Sequence, residues 1–575
     1  MKTWSIGEVA RLLGVKPHVI RYWETELPLL SPKKGLSGRR EYSSNEVSLL
    51  LKFRDLLYER KFTVEGAKRR IWEALGADDP DLRARFAQMR SDLIEALMTI
   101  RHDQGVMKHH EGDDMTEREA RERLAGVGQG HLFDHWDARP QEQRFRLLED
   151  VAELDLDLLS RLKEALQSAA PAAAPGTPQP APYVALSASV ADREARELGE
   201  EEIRRGRTAL LTVAGGQGSR LGFEGPKGMF PVTPLRKLTL FALFAEKLLA
   251  ARRWYGATIP WLIMTSPHNV KSTEDYFDSQ GWFGLGRETV HLFVQGSNPS
   301  LSPDGRLLLA PDGGILRNPN GHGGVIEALR SSGLLSAMQE RSVRHLFYFQ
   351  VDNPLVKVPD PVFLGFHCRA HSQISAKVIE KAYPEEKLGV IVTRDGTPSV
   401  IEYSDLDPSL MNARGADGRL LFAQGSIAIH ILDVDFLASP NLHLPLHVAR
   451  KKVKSLNPTQ SGAEIVDREA AKMEMFVFDA IPLAASALFF ETERLEEFAP
   501  LKNREGVDSI ETCRNGQVEQ AARWLTRCGV EVPRGGEGCP LHAIEISPLF
   551  AMDPAVLAAR RGSLKDRIDE DTLLA

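Results

Sequence analysis

Residues 211–227 read Leu-Thr-Val-Ala-Gly-Gly-Gln-Gly-Ser-Arg-Leu-Gly-Phe-Glu-Gly-Pro-Lys, and they form the most informative segment of the chain. An apolar strand over 209–214 runs directly into a glycine-rich turn that contains two cations, Arg220 and Lys227. Glycines let backbone N–H groups approach a phosphate chain closely, and clustered N–H groups bind anions well. Arg and Lys side chains neutralise the remaining charge. The stretch therefore predicts a phosphate-binding loop at the end of a buried strand.

The turn differs from two common phosphate-binding motifs. It lacks the Gly-Lys-Ser/Thr ending of a Walker loop, and its glycine spacing is not that of the Gly-x-Gly-x-x-Gly dinucleotide fingerprint. The loop alone therefore predicts phosphate binding without naming the ligand.

Composition and cysteine use predict a cytoplasmic protein with no membrane partner. The chain has 575 residues, 42% of them hydrophobic and 26% charged, so we expect a globular protein of several domains. No apolar run reaches the roughly 18 residues that span a bilayer, and the first residues lack the apolar core of a signal peptide. The four cysteines have no metal-ligand spacing and are too few for a disulfide framework.

Charge is distributed unevenly along the chain. Residues 1–75 contain 15 Lys and Arg against 9 Asp and Glu, a net charge of +6. Because the whole chain carries −7, the remainder carries −13. Residues 1–75 are called the head below, and the acidic remainder is called the body. The positive charge of the head favours contact with a polyanion.

The head reads as a helix-turn-helix. Ser5 and Glu8 form a capping box for a first helix that ends at Gly14, and a second helix begins near Pro17. Two helices joined by a tight turn that contains glycine are typical of this motif.

Five residues of the head are candidates for DNA contact. The polar side chains of the second helix can enter a groove of DNA. The basic loop that follows can act as a wing that contacts the DNA phosphates. The candidates are His18, Arg21, Tyr22, Arg39 and Arg40.

Four segments of the head together resemble the MerR-type winged helix-turn-helix. They are Ile-Gly-Glu-Val-Ala (6–10), Arg-Tyr-Trp-Glu (21–24), Arg-Arg-Glu-Tyr (39–42) and Phe-Thr-Val-Glu-Gly-Ala-Lys (62–68). The resemblance covers about 3–75 and implies double-stranded DNA as partner and a homodimer. The alternative is a module of this kind reused for protein contacts.

Residues 76–115 are predicted to form a dimerisation helix and a linker. Apolar residues from Leu82 to Ile100 alternate four and three apart, which is a short heptad seam, although packing against the chain's own core fits equally well. Residues 101–115 are polar and read as the linker.

The body divides into three predicted parts: N-terminal helices and an Ala/Pro-rich connection (116–182), a catalytic domain (183–515) and a small β-rich C-terminal region (516–575). Strand-like and helical runs alternate from 208 to 372, which predicts an α/β fold with a doubly wound, largely parallel sheet. Ligands of such sheets bind at the carboxyl ends of the strands, where the glycine-rich loop falls.

Ordered motifs over about 116–550 resemble the nucleotide-sugar pyrophosphorylases, in particular the eukaryotic-type UDP-N-acetylhexosamine pyrophosphorylases. Beside the loop at 211–227, they include Pro-Asn-Gly-His-Gly-Gly (319–324), Val-Asp-Asn-Pro-Leu-Val-Lys (351–357) and Phe-Ala-Pro-Leu-Lys-Asn (498–503). The resemblance implies a Rossmann-like nucleotidyltransferase with a mixed sheet, which joins UTP to a sugar 1-phosphate with Mg²⁺ as cofactor.

The resemblance also implies the nucleotide site. The glycine-rich loop and two further segments surround the nucleotide, with Gln295 able to pair with the edge of uracil. The nucleotide-binding residues are Ala214, Gly215, Gly216, Gly218, Ser219, Gln295, Gly321 and His322. Arg220 and Lys227 are assigned to the triphosphate, Lys502 to the phosphates, and Asp352, at the end of an apolar strand, to Mg²⁺.

Gly389, Glu402, Tyr403 and Ser426 match the positions that line the sugar pocket in the family. Most of the motifs favour the N-acetylhexosamine branch. His322 and Ser426 replace asparagines that are usual in that branch, and the Gly-His-Gly around His322 resembles UDP-glucose pyrophosphorylases. Glucose 1-phosphate is therefore an alternative substrate.

The predicted reaction needs no strong general base, because the attacking sugar phosphate is already an anion. Catalysis then depends on positioning and on charge neutralisation. Two other hypotheses remain: a transcriptional regulator that senses a UDP-sugar without turnover, and a protein with both activities, in which ligand occupancy changes DNA affinity.

Overall fold

The computed structural model describes residues 3–27, 30, 32–34, 40–59, 115–168, 176–186, 190–459, 462–536 and 538–575. The chain forms two units, Met1–Asp113 and Asp114–Ala575. The predicted seam from Leu82 to Ile100, the residues 101–114 and Arg39 lie outside the described residues.

The N-terminal unit is a helix-turn-helix with a small antiparallel sheet. Its helices are α1 (Ile6–Leu13), α2 (Pro17–Glu26) and α3 (Ser44–Arg54), which continues as a π-helical turn (Asp55–Glu59). Its strands are β1 (Thr3–Ser5), β2 (Lys33–Lys34) and β3 (Arg40–Ser43), in the order β1-β3-β2. The predicted capping box of Ser5 and Glu8 is present, and Gly14 ends α1 with a φ of 65°.

One face of α2 builds the core of this unit. Ile20 and Trp23 are buried, and the Trp23 ring meets Phe53 of α3 edge-on with 5.5 Å between ring centroids. Arg21 and Tyr22 consequently lie on the exposed face of the same helix.

The second unit is built on a ten-stranded mixed sheet. Its strands are β4 (Gln179–Pro180), β5 (Thr208–Val213), β6 (Trp261–Thr265), β7 (Val290–Val294), β10 (His345–Gln350), β11 (Ile374–Glu380), β12 (Val390–Arg394), β13 (Thr397–Ile401), β14 (Gln424–Asp433) and β17 (Ala487–Glu491). The longest path through the sheet runs β13-β12-β14-β10-β5-β6-β7, with β11 beside β14, β17 beside β11 and β4 beside β12. Strands β10, β5, β6 and β7 are parallel to one another, whereas β14 is antiparallel to β10.

Helices cover both faces of this sheet, as the sequence predicted. Successive residues of β5 belong to different hydrophobic cores, one on each face of the sheet. Leu210 is in the same core as Trp261 and Phe347, and Leu211 is in the same core as Leu262. The alternation follows from the two-residue period of a strand. The helices of the unit are α4 (Glu117–Ala125), α5 (Gln141–Ala152), α6 (Leu156–Gln167), α7 (Val190–Arg204), α8 (Leu240–Tyr255), α9 (Val270–Ser279), α10 (Val325–Ser331), α11 (Leu334–Glu340), α12 (Pro361–Arg369), α13 (Pro408–Met411), α14 (Val434–Ala438), α15 (Arg494–Glu497), α16 (Ile510–Arg527) and α17 (Pro554–Ala559).

Two glycines let α7 and α12 cross at close range. A Cβ on Gly199 would lie 1.9 Å from the carbonyl oxygen of Pro361, and one on Gly365 would lie 1.7 Å from that of Ala195. Only hydrogen fits at these two positions, so the crossing fixes α12, which follows the predicted Mg²⁺ ligand Asp352 in the chain.

Two peripheral parts flank the sheet. The helices α4 to α6 pack against a long hairpin made of β15 (His447–Thr459) and β16 (Gly462–Glu474), and a short pair, β8 (Ser297–Pro299) and β9 (Arg317–Pro319), precedes α10. The C-terminal part contains more helix than predicted, because α16 and α17 accompany the parallel pair β18 (Ile544–Ile546) and β19 (Thr572–Leu574). Within the described ranges, no helix is long and apolar enough to cross a membrane.

Two buried histidines predict how stability changes with pH. Burial lowers the pKa of both His367 and His430 to about 3, whereas an unfolded histidine titrates near 6.5. Below that pH the unfolded chain takes up protons that the folded chain does not, so these residues make the free energy of unfolding fall as the pH drops from 6.5 towards 3. We expect His430→Leu to reduce this loss by up to about 1.4 kcal/mol per pH unit, measured by urea unfolding at pH 7 and pH 5. Identical pH dependence in wild type and variant would contradict the assignment.

Candidate active site

The loop after β5 is a closed, internally bonded turn. Gly218 donates its N–H to the carbonyl of Gly225 at 2.8 Å, and Lys227 donates its N–H to the carbonyl of Gly216 at 3.0 Å. At its base, the carbonyl of Ala214 accepts from the buried amide of Asn269 at 3.2 Å. The loop is therefore held in one shape by its own backbone.

Several amides of this loop are available to an anion. Within the part of the chain that the structure describes, the N–H groups of Gly215, Gly216 and Ser219 have no hydrogen-bond acceptor. Such neighbouring donors form an anion-binding concavity. These donors lie in the loop that the glycine pattern assigned to phosphate, and their binding of phosphate stays a prediction.

Gln295 joins two of the predicted nucleotide-binding segments. It follows β7, is almost fully buried, and donates its side-chain N–H to the carbonyl of Gly321 at 2.7 Å. Its other amide atom, Oε1, faces the glycine-rich loop, since a Cβ on Gly215 would lie 3.0 Å from it. A side chain at position 215 would crowd this atom, so glycine keeps space open between the glycine-rich loop and the segment that carries Gln295.

His322 is held as a neutral imidazole. Its Nδ1 accepts the backbone N–H of Val477 and the hydroxyl of Tyr348, each at 3.3 Å. Burial lowers its pKa to about 4. Since Nδ1 accepts both bonds, the proton of the neutral ring is on Nε2.

Lys227 and Asp352 meet at the carboxyl ends of two adjacent parallel strands. Lys227 ends the glycine-rich loop after β5, and Asp352 follows β10; Nζ and Oδ2 are 3.3 Å apart, and both side chains are largely buried. The pair places a cation and a carboxylate beside the amides of the loop, while the predicted roles of Lys227 toward a triphosphate and of Asp352 toward Mg²⁺ stay predictions.

Lys502 is tied to the same strand end. The N–H of Leu501 donates to the carbonyl of Asp352 at 2.8 Å, and the Lys502 ammonium lies 3.4 Å from Asp508. The loop of Lys502 therefore lies at the carboxyl ends of β5 and β10, the crevice in which such sheets bind their ligands, called the cleft below.

A buried ion cluster fixes these segments relative to each other. Lys377 of β11 is 0% exposed and donates to Asp360 at 2.7 Å and to both oxygens of Glu497 at 2.5 and 2.6 Å. Asn353 donates its side-chain N–H to the carbonyl of Glu497 at 2.7 Å and accepts the N–H of Ala499 at 3.2 Å. The strand end that carries Asp352 and the loop that carries Lys502 are thus attached to one cluster.

The predicted sugar residues come together on the antiparallel side of the sheet. Ser426 of β14 donates its N–H to the carbonyl of Gly389 at 2.8 Å, and a Cβ on Gly389 would lie 3.2 Å from Oε2 of Glu402. Burial, followed by the charge of Asp405, raises the pKa of Glu402. Gly389, Glu402 and Ser426 form one group, whereas Tyr403 is 37% exposed beside it.

The sequence motifs left four residues of this cleft unassigned. Phe476 and Phe478 stack on each other, with 5.2 Å between ring centroids, and both rings contact His322. His447 donates from Nε2 to Asp479 at 2.8 Å, and this bond raises the histidine pKa. The alternating Phe-Val-Phe-Asp of 476–479 was the available signal, but spacing alone does not separate pocket aromatics from core.

Asp352 is the carboxylate that the sequence assigned to a divalent metal. No group of three or more His, Cys, Asp or Glu side chains with metal-binding geometry occurs in the ranges that the structure describes. Mg²⁺ commonly takes one or two carboxylates from the protein and the rest of its ligands from substrate phosphates and water. The residues present fit that mode of binding and do not form an all-protein cage.

Comparison with known families decides the class of this site. Residues 180–510 match the model of the family described as UTP–glucose-1-phosphate uridylyltransferase. The chain belongs to this family. It is accordingly a nucleotidyltransferase of the uridylyltransferase type, with its glycine-rich loop, Asp352 and Lys502 all inside the matched range.

The match with similar proteins spans nearly the whole length of those proteins. UDP-N-acetylglucosamine diphosphorylase 2 of Arabidopsis thaliana is 35% identical over 74% of this chain and 88% of its own. Human UDP-N-acetylhexosamine pyrophosphorylase-like protein 1 is 35% identical over 76% and 93%. The solved uridine diphosphate N-acetylglucosamine pyrophosphorylase of Trypanosoma brucei has the same fold, with a TM-score of 0.67 at 24% identity over 79% of this chain and 97% of that one.

The N-terminal unit matches a second family. Residues 4–71 match the model of the MerR helix-turn-helix family of regulatory proteins. Of the predicted DNA contacts, Arg21 and Tyr22 are exposed on α2, His18 is partly exposed on the same helix, and Arg40 lies in β3.

The buried cluster predicts a large effect of one substitution. Lys377→Met leaves the buried carboxylates of Asp360 and Glu497 without their shared cation, which costs about 3–5 kcal/mol in buried pairs. We expect Lys377→Met to lower the free energy of unfolding by that amount, and Lys377→Met/Glu497→Gln to recover part of it. Urea unfolding at pH 7 measures both, with the exposed Lys271→Met as a control. A loss below about 1 kcal/mol for Lys377→Met would contradict the role of the cluster.

Proposed function

We propose that this protein transfers the uridylyl group of UTP to an N-acetylhexosamine 1-phosphate, giving the UDP-sugar and pyrophosphate. The observation that carries the proposal is the Lys227–Asp352 pair, 3.3 Å apart at the ends of β5 and β10 and beside the backbone amides of the glycine-rich loop. This arrangement is suited to a triphosphate with its metal, and the family assignment makes UTP the donor.

The choice of sugar is supported by the relatives. The Arabidopsis and human relatives carry N-acetylglucosamine or N-acetylhexosamine in their names, and each is 35% identical to this chain. Ser426, partly exposed beside Gly389, lacks the amide of the asparagine that is usual in the N-acetylhexosamine branch, and this difference counts for the competing candidate. Glucose 1-phosphate, the substrate in the family description, is the competing candidate.

The residues of the cleft divide the work of the reaction. A phosphate oxygen of the sugar 1-phosphate attacks the α-phosphorus of UTP, the bond from that phosphorus to the bridging oxygen breaks, and pyrophosphate leaves. Lys227, Lys502 and Arg220 neutralise the phosphate charge, and the loop amides orient the triphosphate. Gln295 and the neutral His322 lie where the base enters, and Glu402 accepts hydrogen bonds from sugar hydroxyls.

Mg²⁺ is the proposed metal, with Asp352 as its protein ligand. When bound, the ion supplies positive charge that neutralises the phosphate oxygens. Asp352 would supply one ligand and leave the other coordination positions to phosphates and water.

A pyrophosphate-release assay with UTP tests the proposal. We expect turnover with N-acetylhexosamine 1-phosphates to exceed turnover with glucose 1-phosphate, and Lys227→Ala to reduce it at least about tenfold, equal to roughly 1.4 kcal/mol of transition-state stabilisation. Lys271→Ala, which removes an exposed lysine, is the matched control. A folded Lys227→Ala variant with unchanged turnover would refute the assignment of Lys227, and wild-type inactivity with every sugar phosphate would favour a sensor without turnover.

We also propose that the N-terminal unit binds double-stranded DNA. The match over residues 4–71 and the exposed Arg21 and Tyr22 on α2 favour this second function. The proposed DNA-binding head forms a unit distinct from the catalytic one.

The dependence of DNA affinity on salt concentration measures the contribution of Arg21 to DNA binding. Each phosphate neutralised by a basic side chain contributes about −0.9 to the slope of log K against log salt. We expect Arg21→Ala to weaken duplex binding and to reduce that slope by about one, in fluorescence anisotropy with duplexes selected from a random pool. Arg118→Ala, at an exposed arginine of the other unit, serves as control. An unchanged slope would remove Arg21 from the interface.

A further inference from the structure

Arg504 is a cation beside the glycine-rich loop that lies outside every motif described above. A Cβ built on Gly222 would lie 3.5 Å from Nη1 of Arg504 and 3.8 Å from its Cδ. Arg504 therefore packs against the side of Gly222 on which any other residue would carry its side chain.

Gly222 is suited to receive this side chain. It closes the short turn Ser219–Leu221, donates its N–H to the carbonyl of Ser219 at 3.1 Å and has a φ of 70°. That φ is strained for other residues, and glycine leaves the space over its α-carbon open. The contact thus brings Arg504 next to the turn that presents Ser219 and Arg220.

The loop that carries Arg504 is fixed at its base. Leu501 donates its N–H to the carbonyl of Asp352, and the N–H groups of Lys502 and Asn503 donate to the carbonyl of Asp508 at 2.8 and 3.0 Å. Arg504 follows at the exposed end of this closed loop. One short loop therefore places Lys502 by the Asp352 strand end and Arg504 by the glycine-rich turn.

The positive charge of Arg504 is neutralised by a carboxylate less closely than the charges of Lys227 and Lys502. Lys227 lies 3.3 Å from Asp352, and Lys502 lies 3.4 Å from Asp508. In contrast, the ion pair that the structure gives for Arg504 is a 4.0 Å contact with its neighbour Glu505, with 71% and 88% of the two side chains exposed. Exposed pairs of this kind contribute little, so the guanidinium keeps donors for an anionic ligand.

We propose that Arg504 binds the terminal phosphates of UTP and the pyrophosphate that leaves. This inference rests on the uridylyl transfer proposed above. The Lys227–Asp352 pair is largely buried and serves the inner end of the phosphate chain, whereas Arg504 is exposed at the outer rim of the same loop. A planar guanidinium suits the two adjacent oxygens of a terminal phosphate.

Kinetic constants of the forward and reverse reactions distinguish a role of Arg504 in phosphate binding from a general effect on activity. In the reverse reaction pyrophosphate is a substrate, so Arg504→Ala is expected to raise the KM for pyrophosphate about tenfold and to raise the KM for UTP in the forward reaction. The KM for the UDP-sugar should stay within twofold of wild type. Arg504→Lys should lie between wild type and Arg504→Ala, since it keeps the charge and loses the planar fork.

The full-length protein serves for all measurements, with Lys271→Ala as a control for the loss of an exposed cation and thermal unfolding as a check on folding. An unchanged KM for pyrophosphate in Arg504→Ala would overturn the proposal, and so would an equal rise in the KM for the UDP-sugar. Inactive wild type would count against the proposed function instead. Calorimetric titration with Mg²⁺ and inorganic pyrophosphate would then decide: weaker binding by Arg504→Ala supports the role, and equal binding overturns it.

Discussion

The ammonium of Lys377, buried between Asp360 and Glu497, is the interaction on which the geometry of the cleft depends. A charge out of contact with water is tolerated only when opposite charges and hydrogen bonds surround it, so these three side chains form a unit. The Glu497 segment also accepts the amide of Asn353, and Leu501 bonds to Asp352. The separation between the Asp352 strand end and the Lys502 loop is consequently set by a cluster behind the cleft.

The sequence was most informative where chemistry and chain direction coincide. The glycine-rich loop, Gln295 and Asp352 each follow a parallel strand, and such strand ends meet at one edge of a sheet, so their convergence followed from the order of elements. The Ser5–Glu8 capping box and the Gly14 helix end were equally predictable, because they depend only on neighbouring residues. Domain boundaries and the roles of the site residues remain predictions.

Other features depend on contacts that no local pattern encodes. The Phe476–Phe478 stack and the His447–Asp479 pair arise where the end of the long hairpin returns to the cleft, and spacing does not show which way those side chains turn. The amount of helix in the C-terminal part was underestimated, since apolar residues of α16 pack with β18 in a small core of their own. The close crossing of α7 and α12 depends on two glycines 166 residues apart in the chain.

The contact between Lys227 and Asp352 has a consequence for the order of events in the proposed reaction. A free divalent cation that approaches Asp352 competes with an ammonium group 3.3 Å away, so the carboxylate alone is a poor trap for metal. A metal that arrived on a triphosphate would bring anionic oxygens with which Lys227 could pair instead. In the proposed reaction, the pair would therefore favour the metal–nucleotide complex over the bare ion.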